Sequence, residues 1–309
     1  MKLLEILKKY IKFYLDTKIA TGKSKLTIEQ YSRILNNFYS FVFDEVEKYP
    51  SLTIVDLNKN MLNGYVKHLQ TENKSSSTQN THVIIIKAFV TFIADDDIKQ
   101  YGTLRSEFHG YSIKVTKKKT ISFSEDERNR LLDYIESLDI HRSDMNVRDI
   151  LIIKILLYTG IRATELCNIR WRDVFEEGES IKIRIIGKGG DERFVRIATS
   201  SVSHLMDKLS IGKNPDNYMI TGINGLQYTR VYLYRMLKKR LFSTKIFVTG
   251  VHKFRHSFIR KLQELNYDIQ RIQSLTGHKD IQTLVNHYMD TNEKDKEVIA
   301  LQLYNLDKK

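Results

Sequence analysis

Apolar residues in the first third of the chain recur every three or four positions. In L-T-I-E-Q-Y-S-R-I-L-N-N-F-Y-S-F-V, Ile28, Tyr31, Leu35, Phe38 and Val42 fall on one stripe, the period of an amphipathic helix. The opening M-K-L-L-E-I-L-K-K-Y-I-K-F-Y-L-D is broken by charges every few residues. It predicts another amphipathic helix rather than a signal peptide. Asp56 is a candidate cap for a helix over Leu57–Gln70. A serine-rich loop then leads into a helix with Val83, Ile86, Val90 and Ile93 on one face. About four helices joined by short polar loops fit residues 1–113.

The pattern changes in the second part. Ser124 followed by Glu127 is a capping box, so a new helical unit begins there. The preceding K-V-T-K-K-K-T, residues 114–120, is a basic linker, placing a domain boundary near residue 117. I-K-I-R-I-I-G-K-G-G-D-E-R-F-V-R-I alternates apolar and charged positions on both sides of a glycine-rich turn. That predicts a β-hairpin with Lys188 at its tip. Helical spacing flanks it at Val147–Tyr158, Tyr228–Leu241, His252–Leu265 and Asp268–Leu275. The expected fold class is therefore mainly α with a small antiparallel β-hairpin or sheet (α+β). Two prolines in 309 residues leave little to interrupt the helices.

Charge adds a partner class. The net charge is +13, with 15 basic against 12 acidic residues over 1–113 and 35 against 25 over 114–309. A basic second domain suits a polyanion such as nucleic acid, although solubility alone also accounts for a basic surface. The single cysteine, Cys167, excludes an internal disulfide framework and a Cys-rich zinc site, and suits a reducing cytoplasm. No apolar run approaches the roughly 18 residues that span a bilayer.

Three short stretches carry candidate chemistry. In L-L-Y-T-G-I-R-A-T-E-L, a helix stops at Thr159-Gly160 and Arg162 follows, with Glu165 three residues on. On its own this fits a structural ion pair supporting a turn. In G-V-H-K-F-R-H-S-F, His252, Arg255 and His256 share one helical face. The two histidines could ligate a metal, or with the arginine form an anion pocket; no acidic third ligand or cysteine is near, which weighs against metal. In S-L-T-G-H-K-D-I-Q-T-L-V-N-H-Y-M-D, Gly277 ends one helix, Asp280 can cap the next, and His278 sits at the joint. Any one of these histidines alone is an ordinary packing or surface residue.

Together, and in this order, T-G-I-R-x-x-E-L, the hairpin lysine, H-K-F-R-H, T-G-H-K-D and a following tyrosine resemble the tyrosine recombinases, the phage-integrase family. The resemblance covers almost the whole chain. It implies a helical core-binding DNA-binding (SAM-like) domain over 1–113 and a catalytic domain over 121–309, closing on DNA as a C-shaped clamp. Arg162 and Arg255 would be the phosphate-binding arginines, Lys188 the hairpin lysine, His252 and His278 the two histidines, and Tyr288 the nucleophile. Glu165 and His256 would support them, and Lys114, Lys117, Lys118 and Lys119 in the linker would follow the DNA backbone. Ten positions separate His278 from Tyr288, one more than is usual in the family. Tyr304 is the fallback nucleophile.

The resemblance further implies metal-independent, cofactor-free cleavage and rejoining of double-stranded DNA at a specific site, by a cytoplasmic, nucleoid-associated homotetramer on two duplexes. The segment carrying Ile299, Leu303 and Leu306 would be donated to a neighbouring subunit, and a DNA translocase is a candidate activator. Resolution of chromosome dimers and movement of a mobile element both fit. A type IB-like topoisomerase and a DNA-binding regulator without activity are the competing expectations.

Overall fold

The computed structural model describes residues 2–115, 121–187, 190–222 and 224–277, together with 281, 284 and 285. It divides into two compact units, Met1–Lys118 and Lys119–Lys309.

Among the described residues the regular elements of the first unit are helices: α1 (Lys2–Ala20), α2 (Lys25–Lys48), α3 (Lys59–Thr71), α4 (Ser76–Asp96) and the single turns α5 (Ile98–Tyr101) and α6 (Leu104–Glu107). Serine sets two of the starts. Ser24 accepts from the Thr27 N–H and Ser75 from that of Thr78, satisfying donors the helix cannot use internally. The third helix starts later than the sequence suggests, because Asn58 rather than Asp56 caps it. Asn58 Oδ1 accepts from the N–H groups of Asn60 and Met61. The Asp56 carboxylate is already engaged upstream, taking the Thr53 N–H at 2.7 Å and hydroxyl at 2.9 Å. Leu35, Phe38 and Val42 of α2 meet Val83, Ile86, Val90 and Ile93 of α4 in one core. Ile28 and Tyr31 sit half-buried at its edge.

The second unit contains α7 (Glu125–Ser137), α8 (Asp144–Thr159), α9 (Ala163–Asn168), a sheet of β1 (Val174–Glu177), β2 (Ser180–Ile186) and β3 (Glu192–Ala198), then α10 (Thr199–Ser210), α11 (Arg230–Leu241), α12 (His252–Glu264) and α13 (Ile269–Thr276). The sheet is antiparallel in the order β1-β2-β3. The first strand, four residues with no buried side chain, adds an edge to the expected hairpin. Along β2, Ile181, Ile183 and Ile185 turn inward, opposite Ile197, Val195 and Arg193 of β3. Strict alternation thus puts an arginine in the core-facing row of β3.

Helix α8 is apolar almost all round, with Ile150–Ile153 and Ile155–Leu157 buried, as a helix at the centre of a unit must be. It lies against α10, α12 and β3. Truncating Leu151, which is fully buried, to alanine should cost about 2–5 kcal/mol. No helix of the described residues is long and apolar enough to cross a membrane.

One further contact fixes α12. The Phe123 N–H donates to Ser257 Oγ at 2.7 Å. Lys253, only 4% exposed, places Nζ 2.8 Å from Glu127 Oε1 and 4.8 Å from the centre of the Phe123 ring. Glu127 also closes the expected capping box with Ser124. The segment that opens the unit is therefore clipped to the helix carrying His252 and Arg255.

Candidate active site

Two helices end in the same way close to one another. Helix α8 stops at Gly160 (φ 61°) and α13 at Gly277 (φ 65°), both left-handed. Each glycine follows a threonine whose hydroxyl folds back on its own helix, Thr159 to the Ile155 carbonyl and Thr276 to that of Ile272, both at 2.6 Å. Such ends leave carbonyl oxygens without helical donors, at the negative end of each helix dipole.

Arginines take those carbonyls. Arg255, in the first turn of α12 and buried, donates from Nη1 to the Gly160 oxygen at 2.8 Å and from Nη2 to the Thr276 oxygen at 2.6 Å. Arg162 donates from Nη2 to the Gly277 oxygen at 3.1 Å. The two guanidinium groups are thus anchored on the same pair of helix ends. They differ in access: the Arg162 side chain is 35% exposed, whereas Arg255 is buried.

Glu165 organises the Arg162 side. Its Oε2 caps α9 by accepting the Arg162 backbone N–H at 2.7 Å, and its Oε1 accepts from Arg162 Nη1 at 2.8 Å. From the other direction Arg193 grips both oxygens, Nη1 on Oε1 at 3.0 Å and Nη2 on Oε2 at 2.8 Å. Burial alone would raise this carboxyl. The Arg193 and Arg162 hydrogen bonds and charges outweigh it and hold the group down at about 2. The expected Arg162–Glu165 ion pair is present, and it leaves Arg162 Nη2 on the Gly277 carbonyl. No motif marks Arg193; its one local signal is a charge in the apolar-alternating row of the hairpin.

His252 opens α12, and its ring centroid lies 6.2 Å from that of His256. Much of the His252 side chain is open to solvent. Partial loss of hydration lowers the imidazole below its ordinary value, and the charges of Arg255, Arg162 and Arg230 lower it further. It is consequently neutral near pH 7, with a lone pair available to take a proton. Among the described residues no three His, Cys, Asp or Glu side chains form a group that could hold a metal ion.

Arg162, Glu165, His252, Arg255 and His256, scattered along the chain, all belong to this region. Lys188, His278, Tyr288, Asp280, the linker residues Lys117, Lys118 and Lys119 and the segment with Ile299, Leu303 and Leu306 lie outside the described residues. Lys114 is exposed at the end of the first unit, and Cys167 is buried, its thiol pushed up to about 11 by burial.

Two permanently charged guanidinium groups beside a neutral imidazole can hold a tetrahedral oxyanion and accept a proton next to it. Comparison with known proteins agrees. Residues 122–295, more than half of the chain, match the model of the phage integrase family, and residues 2–98 match the phage integrase SAM-like domain. The chain is 31% identical to the tyrosine recombinase XerH of Campylobacter jejuni over 185 residues, 58% of this chain and 51% of that protein. It is 25% identical over 279 residues to XerD of Oceanobacillus iheyensis, covering 88% of this chain and 90% of the relative. A crystal structure of XerH bound to its difH substrate superposes with a TM-score of 0.78 at 20% identity, covering 97% of this chain and 96% of that one. A lambda integrase dimer bound to a core site gives 0.67 at 15% identity, covering 91% and 94%. The chain belongs to the phage integrase family, the tyrosine recombinases, enzymes that cleave and rejoin DNA.

Proposed function

We propose that this protein is a site-specific recombinase acting on double-stranded DNA through a 3′-phosphotyrosyl intermediate. The anchoring of Arg162 and Arg255 on two neighbouring helix ends, with neutral His252 between positive charges, carries the reading. A phosphodiester under attack gathers negative charge on its nonbridging oxygens, and the two arginines meet it with preset donors. They supply the positive charge that many phosphoryl-transfer enzymes take from Mg²⁺.

In this reading the Tyr288 hydroxyl attacks phosphorus and gives up its proton to His252. A phenol near its usual pKa of about 10 needs both that base and the positive field around it. The bond to the 5′ oxygen breaks, Lys188 protonates that oxygen, and His278 donates a hydrogen bond to the phosphate. The phosphotyrosyl ester conserves the bond energy, so a 5′ hydroxyl from another strand can reverse the step and release Tyr288. Glu165 and His256 support the arrangement, and the lysines at 114, 117, 118 and 119 neutralise backbone phosphate.

The same reading makes the working form a homotetramer on two duplexes, formed by donation of the segment around Leu303. The cavity of about 320 Å³ lined by Ile259, Ile269, Ile272 and Leu284, among others, has the chemistry to receive an apolar helix face. A chromosomal role with a translocase as activator and a mobile-element role are both compatible with this chemistry. Incubation of two differently labelled duplexes carrying the same site tests the assignment. Hybrid products are expected. Relaxation of a single supercoiled circle without hybrids would make the protein a topoisomerase, and tight binding without either product would make it a regulator.

A further inference from the structure

Arg193 shares the core-facing row of β3 with Val195 and Ile197. It spends that position on Glu165, its fork lying on both carboxylate oxygens at 3.0 and 2.8 Å. Each oxygen therefore serves two donors, one from Arg193 and one from Arg162. The side chain also runs against Gly277. A Cβ placed on that glycine would come within 2.9 Å of both Cδ and Nε of Arg193. Nε itself is buried and has no acceptor among the described residues. A buried donor without a partner is uncommon in folded proteins and costs stability.

This side chain thus joins three segments: strand β3, the carboxylate beside Arg162, and the glycine whose carbonyl Arg162 holds. We infer that Arg193 is a positioning residue for strand cleavage: it draws the Glu165 carboxylate to itself, so that Arg162 stays spread between Glu165 and the Gly277 carbonyl instead of collapsing onto the carboxylate. Without Arg193, the buried anion has Arg162 as its remaining partner. A guanidinium pulled fully into that pair presents fewer donors to a phosphate. The inference rests on the reading of Arg162 as a phosphate ligand.

The test uses the full chain and a nicked duplex bearing the sequence that the wild-type protein selects from a randomised duplex pool. Covalent adduct formation, duplex binding and thermal melting are measured for the wild type, Arg193→Met, Arg193→Lys, and Arg193→Met combined with Glu165→Gln. Arg193→Met is expected to bind the duplex as the wild type does while forming adduct roughly 10- to 100-fold more slowly. The double variant is expected to regain most of that loss. Its amide oxygen still caps the Arg162 N–H but carries no charge to pull the guanidinium. Arg193→Lys, with the charge but not the fork, should fall between. Cleavage by Arg193→Met at the wild-type rate overturns the inference. So does a double variant no faster than Arg193→Met, which would make the side chain act on DNA or on the fold. Loss of adduct that tracks loss of melting temperature in every variant overturns it as well. A wild-type protein that binds its selected site and forms no adduct defeats the recombinase reading itself, and the wild-type arm alone decides that.

Discussion

Arg255 reaches across from α12 to hold the carbonyl oxygen of Gly160 at 2.8 Å, at the residue where α8 turns left-handed. The glycine is required twice over. Its φ of 61° disfavours any side chain, and a Cβ there would lie 2.4 Å from Cδ1 of Phe258. Gly178 has the same φ with nothing within 4 Å. Gly178→Ala should therefore cost only the left-handed strain, about 1–2 kcal/mol. Gly160→Ala should cost roughly 1–3 kcal/mol more through overpacking, and should slow strand cleavage because the carbonyl that anchors Arg255 moves. Urea unfolding of both variants checks the difference, and equal losses would contradict it.

His252 gives a prediction in pH. Loss of hydration and the neighbouring arginines hold its imidazole below the ordinary value. The unfolded chain then binds a proton more readily than the native protein as pH falls through that ordinary value. Acidification should therefore destabilise the fold, with no contribution from this group at higher pH. Substituting His252 by glutamine should remove that part of the acid dependence. An NMR titration of the ring should give a pKa below that of an unperturbed histidine. Added inorganic phosphate should raise it by screening Arg162 and Arg255. A value above the ordinary one in the free protein would contradict the arrangement.

The Lys253–Glu127 pair should respond asymmetrically. Lys253 is 4% exposed, so removing its carboxylate strands a buried charge. Glu127→Gln should cost about 3–5 kcal/mol, whereas Lys253→Met, which keeps the packing on Phe123 and strands no charge in the core, should be much milder. Chemical denaturation of the two variants measures the ordering, and the reverse order would show that the clip is not a buried ion pair.

What could be read from the chain alone follows from how local each signal is. Ser124 with Glu127, Gly160, Gly277 and the alternation through Ile181–Ile197 act within a few residues, and the structure shows the capping box, both left-handed helix ends and the strand pair. Asp56 misled because two candidate caps stand two residues apart, and the choice turns on Thr53 upstream. The edge strand Val174–Glu177 is too short and exposed to leave a periodic trace. Arg193 and Lys253 escaped for another reason. Their partners, Glu165 and Glu127, are 28 and 126 positions away, and nothing local marks a buried charge as paired. Arg162, Glu165, His252, Arg255 and His256 stand out in the sequence as parts of motifs, and the structure brings these five into one region. The carbonyl anchors that hold its arginines appear only in three dimensions.

Covalent chemistry at Tyr288 is open to a single trapping assay. A nicked duplex carrying the selected site traps a cleaved strand, because the short fragment between the cleavage point and the nick, whose freed 5′ hydroxyl would reseal the link, diffuses away. The wild-type protein should accumulate a covalent protein–DNA adduct joined through a 3′ phosphate. Tyr288→Phe should bind the duplex equally well and form none. Adduct formation undiminished in Tyr288→Phe would contradict the account.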